Sequence, residues 1–109
     1  MKDINDSNEY KSFIKEAAVK LQNREIEGAY ELILNALSQN PAAPEPHNLL
    51  GALHEIRGNE DMARKHYRAA YSLDPTYKPA NKNLERICTF CILPHMAMDF
   101  GVEILINKK

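Results

Sequence analysis

The sequence predicts an all-α protein built from antiparallel helical hairpins, and three observations carry this prediction. Apolar residues recur at steps of three and four, which is typical of amphipathic helices. Proline and glycine interrupt this pattern where helices should end. Small residues recur 34 positions apart, which indicates that one hairpin is repeated along the chain.

Four helices are predicted over the first two hairpins, at residues 9–22, 25–39, 45–57 and 60–73. Pro41 and Pro75 end the second and fourth helices, because proline lacks an amide hydrogen and disfavours helical geometry in the residue before it. Gly58 ends the third helix, since glycine readily adopts the left-handed conformation of a helix stop. No part of this region alternates as a strand would.

The repeat is seen when the sequence is aligned with itself after a shift of 34 positions. The shift pairs identical residues, namely Ala18 with Ala52, Ala29 with Ala63, Ala36 with Ala70, Ser38 with Ser72 and Pro41 with Pro75. A large side chain at a close helix crossing would hold the two backbones apart, so we expect the alanines to mark helix crossings.

The last 32 residues are nearly one more repeat, but the pattern weakens there. We predict a helix over residues 77–91 and a second helix over residues 95–107, which Pro94 would begin. A strand is the alternative for the second segment, because Phe100, Val102, Ile104 and Ile106 alternate along the chain.

The composition and charge of the chain limit the classes of function that are expected. Apolar residues make up 44% of the chain and the net charge is −1, as expected of an ordinary globular protein without a general attraction to nucleic acid or anionic lipid. No apolar run approaches the roughly 20 residues that span a bilayer. The first ten residues are polar and acidic, unlike a secretory signal, so we expect a cytoplasmic location.

Residues 44–77 resemble the tetratricopeptide repeat. His47, Leu50, Gly51 and His54 follow the spacing W-x2-L-G-x2-Y of the family signature, with histidines in place of the two aromatic residues. The second half of the signature is matched by Ala63, Tyr67, Ala70 and Pro75. Residues 10–43 fit more loosely, and residues 78–109 fit as a degenerate third repeat that follows a polar segment at residues 1–9.

The resemblance implies a short right-handed α-solenoid that binds a peptide or helix of another protein on its concave face and needs no cofactor. That face would be formed by the first helix of each repeat, through Lys11, Ile14, Lys15, Ala18, Gln22, Asn48, Ala52, Glu55, Lys82, Arg86 and Phe90. Its lysines would favour an acidic segment, and we expect Lys15, Asn48 and Arg86 to face solvent.

One subset of the family grips a terminal carboxylate with lysine and asparagine side chains. Only Lys11 matches that clamp, while Lys15, Leu49, Pro79 and Asn83 stand at its other positions. A carboxylate site needs converging donors, so this specialised function is not expected.

Two further hypotheses compete with the adaptor. The apolar tail at residues 91–106 could bury itself against a second copy, giving a homodimer. Cys88, Cys91 and His95 could form a thiol or metal site, but they supply at most three of the four ligands that zinc prefers. If these side chains serve packing alone, Cys88 is a buried thiol, and His47 and His54 occupy core-facing positions.

The sequence holds no recognisable catalytic set, so we predict that the protein is not an enzyme.

Overall fold

A computed structural model of the chain describes residues 2–88 and 98–102. Residues 2–88 form the helices α1 (Lys2–Gln22), α2 (Ile26–Gln39), α3 (Glu45–Ile56), α4 (Glu60–Leu73) and α5 (Lys78–Ile87). The predicted all-α class is confirmed, and the bounds of α2, α3 and α4 lie within one residue of those predicted. Two antiparallel hairpins, α1–α2 and α3–α4, pack side by side, and α5 packs against α4.

The 34-residue period extends to the backbone of the turns. Arg24 and Gly58 are equivalent in the repeat, and both adopt the left-handed conformation, with φ of 64° and 85°. Asn59 then caps α4, where its Oδ1 atom accepts a hydrogen bond from the backbone N–H of Met62 at 3.3 Å. The two hairpins therefore turn in the same way, although only one of them uses glycine.

The predicted ends of the helical region were less accurate. Helix α1 begins at Lys2 rather than at residue 9, because no proline or glycine interrupts that stretch of the sequence. Helix α5 ends at Ile87, before the predicted end at residue 91. The helix predicted over residues 95–107 is wrong at residues 98–102, which form neither helix nor strand and include Gly101 at a φ of 83°. The rest of that segment lies outside the described residues.

Small residues mark the helix crossings, as predicted. The alanines paired by the repeat are all fully buried, namely Ala18, Ala29, Ala36, Ala52, Ala63 and Ala70. Gly51 of α3 faces the ring of Tyr67 on α4, and a Cβ atom at Gly51 would lie 2.4 Å from the Tyr67 Cε1 atom. The tyrosine ring thus occupies the space that any larger residue at position 51 would need.

Three histidine rings stack along the contact between α3 and α4. His66 of α4 lies between His47 and His54 of α3, with ring centroids 5.5 Å and 5.4 Å from it. The Nδ1 atoms of His47 and His66 are 3.3 Å apart. Burial, with the charges of its two neighbours, lowers the pKa of His66 to about 4. The core-facing positions of His47 and His54 were predicted, but the part played by His66 was not.

Replacing Gly51 by alanine should lower the free energy of unfolding by about 1–3 kcal/mol, because the added methyl group collides with the buried Tyr67 ring. Gly28→Ala is the matched control, since its new Cβ atom would meet only the flexible side chain of Lys20. The control should leave stability unchanged or raise it slightly through better helix propensity. Urea unfolding followed by circular dichroism gives both values, and equal losses for the two variants would contradict the packing argument.

Mild acid should destabilise the fold through the histidine stack. The pKa of His66 is lower in the folded chain than its ordinary value of 6.5. The unfolded chain therefore binds more protons, and the free energy of unfolding falls as the pH drops from 6.5 toward 4. Urea unfolding at pH 7.5 and pH 5.5 measures this fall before most carboxylates titrate. His66→Phe keeps a stacked ring without the titration and should show a smaller fall; an unchanged fall would contradict this origin.

Candidate functional site

The first helices of the successive hairpins lie next to one another. Helix α1 contacts α3, and side-chain hydrogen bonds join α3 to α5. We call the surface formed by α1, α3 and α5 the first-helix face; it corresponds to the concave face expected from the sequence. Residues 98–102 of the same chain lie on this face.

Two asparagines of this face bind the main chain of Asp99. The Nδ2 atom of Asn83 donates to the Asp99 carbonyl at 2.7 Å, and the Asp99 N–H donates to Asn83 Oδ1 at 2.8 Å. Asn48 Nδ2 donates to the same carbonyl at 3.0 Å. Both asparagines are fully buried, where an amide without partners would be costly. Residues 98–102, which are not helical, therefore supply part of the hydrogen bonding of both amides.

A second set of interactions fixes the orientation of the Asn83 amide. Asn83 Nδ2 donates to Asn48 Oδ1 at 2.9 Å, and Arg86 Nη2 donates to Asn83 Oδ1 at 3.2 Å. Arg86 also makes a two-pronged ion pair with Glu55, which accepts a further hydrogen bond from Tyr67 Oη at 2.8 Å. The hydrogen bonds to Glu55 raise the pKa of Arg86, and burial raises the pKa of Tyr67. A continuous network of hydrogen bonds therefore runs from α4 through α3 and α5 to residues 98–102, which we call the bound segment.

The side chains of the bound segment alternate in their contacts. Met98, Phe100 and Val102 pack against the apolar core. Between them, Asp99 Oδ1 accepts a hydrogen bond from the N–H of Gly101 at 2.9 Å, and Asp99 Oδ2 lies 4.0 Å from Lys82 Nζ. A Cβ atom at position 101 would lie 2.0 Å from the hydroxyl of Tyr77, so the position accommodates only glycine.

The residues predicted for the concave face differ in exposure. Exposed members are Lys11, Lys15 and Lys82; half-buried members are Gln22, Glu55 and Arg86; buried members are Ile14, Ala18, Asn48 and Ala52. Phe90 lies outside the described residues. The expectation of solvent-facing side chains is confirmed for Lys15 and wrong for Asn48 and Arg86. Asn48 is covered by the Asp99 main chain, and Arg86 is only 14% exposed because it pairs with Glu55.

Gly101 and Val102 border a cavity of about 370 Å³ on the first-helix face. Ile14 and Glu45 line this cavity together with Lys11 and Lys15, which give it a cationic wall. The cavity therefore combines an apolar contact with positive charge at one end of the bound segment.

Asn83 and Asp99 are the residues that sequence reasoning missed. Asn83 was considered only as a mismatch to the carboxylate clamp, yet it lies one helical turn after the buried Ala80 and so faces inward. An amide at an inward position of an amphipathic helix was the available signal, because buried amides require partners. Nothing in the sequence indicated that the partner would be Asp99.

Of the three residues in the thiol or metal hypothesis, the structure describes only Cys88. Cys88 is exposed, because α5 ends at Ile87, so its prediction as a buried thiol is wrong. Cys91 and His95 lie outside the described residues. Within residues 2–88 and 98–102, His, Cys, Asp and Glu side chains form no group of three or more that could hold a metal ion.

Among the described residues, no helix is both long and apolar enough to cross a bilayer.

The comparison with models of protein families agrees with the fold. No curated protein and no solved structure matches the chain. The family model of the tetratricopeptide repeat matches residues 44–77, a segment that contains α3 and α4. Residues 44–77 are therefore similar to one tetratricopeptide repeat, and the five packed helices of the described residues fit a small protein with a fold of that kind.

Proposed function

We propose that this protein is a binding module that takes a non-helical segment of a partner protein on its first-helix face. The observation that carries the proposal is the binding of the Asp99 N–H and carbonyl by Asn83 and Asn48. These bonds go to main-chain atoms, which every peptide carries. Tetratricopeptide repeats generally mediate protein–protein interactions, and this arrangement offers a physical means of doing so.

The charges around the face favour a partner segment with acidic side chains. Lys11, Lys15 and Lys82 are exposed on α1 and α5, on either side of α3. Lys82 already lies 4.0 Å from the carboxylate of Asp99. Positive side chains placed in this way speed the encounter with an acidic partner and disfavour basic ones. We propose that the module acts as an adaptor.

A homodimer through the apolar tail is the weaker candidate. Of the tail, residues 98–102 are described, and Met98, Phe100 and Val102 pack against the core of their own chain. These contacts partly cover three of the apolar side chains that self-association was expected to bury. A peptide partner is therefore the function that the described contacts support best.

Charge reversal on the first-helix face should weaken partner binding about tenfold. Lys15→Glu with Lys82→Glu changes two exposed side chains, and each rim charge is worth up to about 1 kcal/mol. The full-length chain serves as bait in its own cell extract, and mass spectrometry quantifies the captured proteins. Proteins lost with this double variant and retained with wild type are the specific partners.

The matched control is Lys65→Glu with Arg68→Glu, which makes the same change of charge on the exposed surface of α4. It should retain those partners, and both variants should keep the wild-type circular dichroism signal. A third variant, Cys88→Ser with Cys91→Ser, should also retain them. If the cysteine variant loses the partners and the α1–α5 variant does not, the thiol hypothesis replaces the present one.

A further inference from the structure

We infer that residues 98–102 are an internal ligand of the first-helix face, which a partner must displace, and that the partner segment carries the same pattern of side chains. That pattern is an apolar residue, an acidic residue, an apolar residue, glycine and an apolar residue. This inference rests on the proposed function and adds to it both the class of peptide that binds and a means of restraining binding.

The contacts of the segment are those of a bound peptide rather than of a structural element. Residues 98–102 belong to no helix or strand. Among residues 2–88 and 98–102, the main-chain hydrogen bonds of Asp99 are made with the side chains of Asn48 and Asn83. A separate peptide of the same sequence could make each of these bonds equally well.

The side chains explain why one pattern is preferred. Met98, Phe100 and Val102 meet the apolar core, while Asp99 between them faces Lys82. Gly101 adopts a φ of 83° directly beneath the hydroxyl of Tyr77, where a Cβ atom has no room. The face therefore selects the acidic side chain through the charge of Lys82, and it selects glycine through the lack of space beside Tyr77.

Attachment in the same chain makes the segment a strong competitor. Tethering can raise the effective concentration of a ligand to the order of millimolar. An external peptide of equal intrinsic affinity therefore binds the wild-type chain only weakly. Removing the internal segment from the face should restore the intrinsic affinity.

The test uses full-length chains and a fluorescent synthetic peptide with the sequence of residues 96–104, whose binding is followed by fluorescence anisotropy. Gly101→Val in the protein places a side chain against Tyr77 and dislodges the internal segment, while every residue of the face is kept. This variant should bind the peptide at least tenfold more tightly than wild type does. A peptide that itself carries the Gly101→Val change should bind neither protein.

Gly58→Val is the matched control. It makes the same substitution at a glycine with a φ of 85°, but no atom lies within 4 Å of the new Cβ position. It should destabilise the fold through backbone strain alone and leave peptide affinity at the wild-type value. Phe100→Ser, which removes an apolar anchor of the internal segment, is the second variant if Gly101→Val loses its helical signal.

We call Gly101→Val and Phe100→Ser the tail variants. The inference is overturned if these variants fold but bind the peptide no more tightly than wild type does, and this includes the case in which neither binds it detectably. Equal micromolar binding by all of them would leave the proposed function standing, because the face would still accept peptides. Conversely, tighter binding by the tail variants, together with unchanged capture by the Lys15 and Lys82 variant, would show that residues 98–102 cover a peptide-binding face. It would overturn both partner docking on that face and the side-chain pattern inferred for the partner.

Discussion

The amide of Asn83 is the interaction on which the arrangement of the first-helix face depends. Its two N–H groups and its carbonyl oxygen bind Asn48, Arg86 and both main-chain polar groups of Asp99. It therefore ties α5 to α3 and ties both helices to residues 98–102. Because the amide is fully buried, loss of the Asn48 or Asp99 acceptor leaves an N–H group of Asn83 unsatisfied unless water replaces it, at a cost of about 1–3 kcal/mol. The face is most stable with a peptide on it.

The hairpins could be predicted from the sequence because their causes are local or periodic. Proline and glycine mark most of the helix ends, and buried alanines recur at the repeat spacing. Gly51 follows the family signature, and the Tyr67 ring packs closely against it. Each of these features depends on residue types within one repeat.

The site was less predictable, since its contacts join residues far apart in the sequence. Asn48 and Asn83 meet across α3 and α5, and their shared ligand lies a further 16 positions beyond Asn83. A 34-residue pattern describes what the repeats have in common, whereas Asn83 and Asp99 belong to the part that departs from it. The exposure of Arg86 was overestimated because its pairing with Glu55 depends on the packing of α5 against the rest of the stack.

The fixed orientation of the Asn83 amide gives the face a sense of chain direction. Arg86 donates to its oxygen and Asn48 accepts from its nitrogen, so the amide cannot rotate by half a turn without losing both bonds. A bound chain must then present its carbonyl to the nitrogen and its N–H to the oxygen, in the order in which Asp99 presents them. A peptide laid down in the reverse direction would exchange these two groups and oppose donor to donor. The first-helix face consequently distinguishes the amino end of a segment from its carboxyl end, even where the side chains are alike.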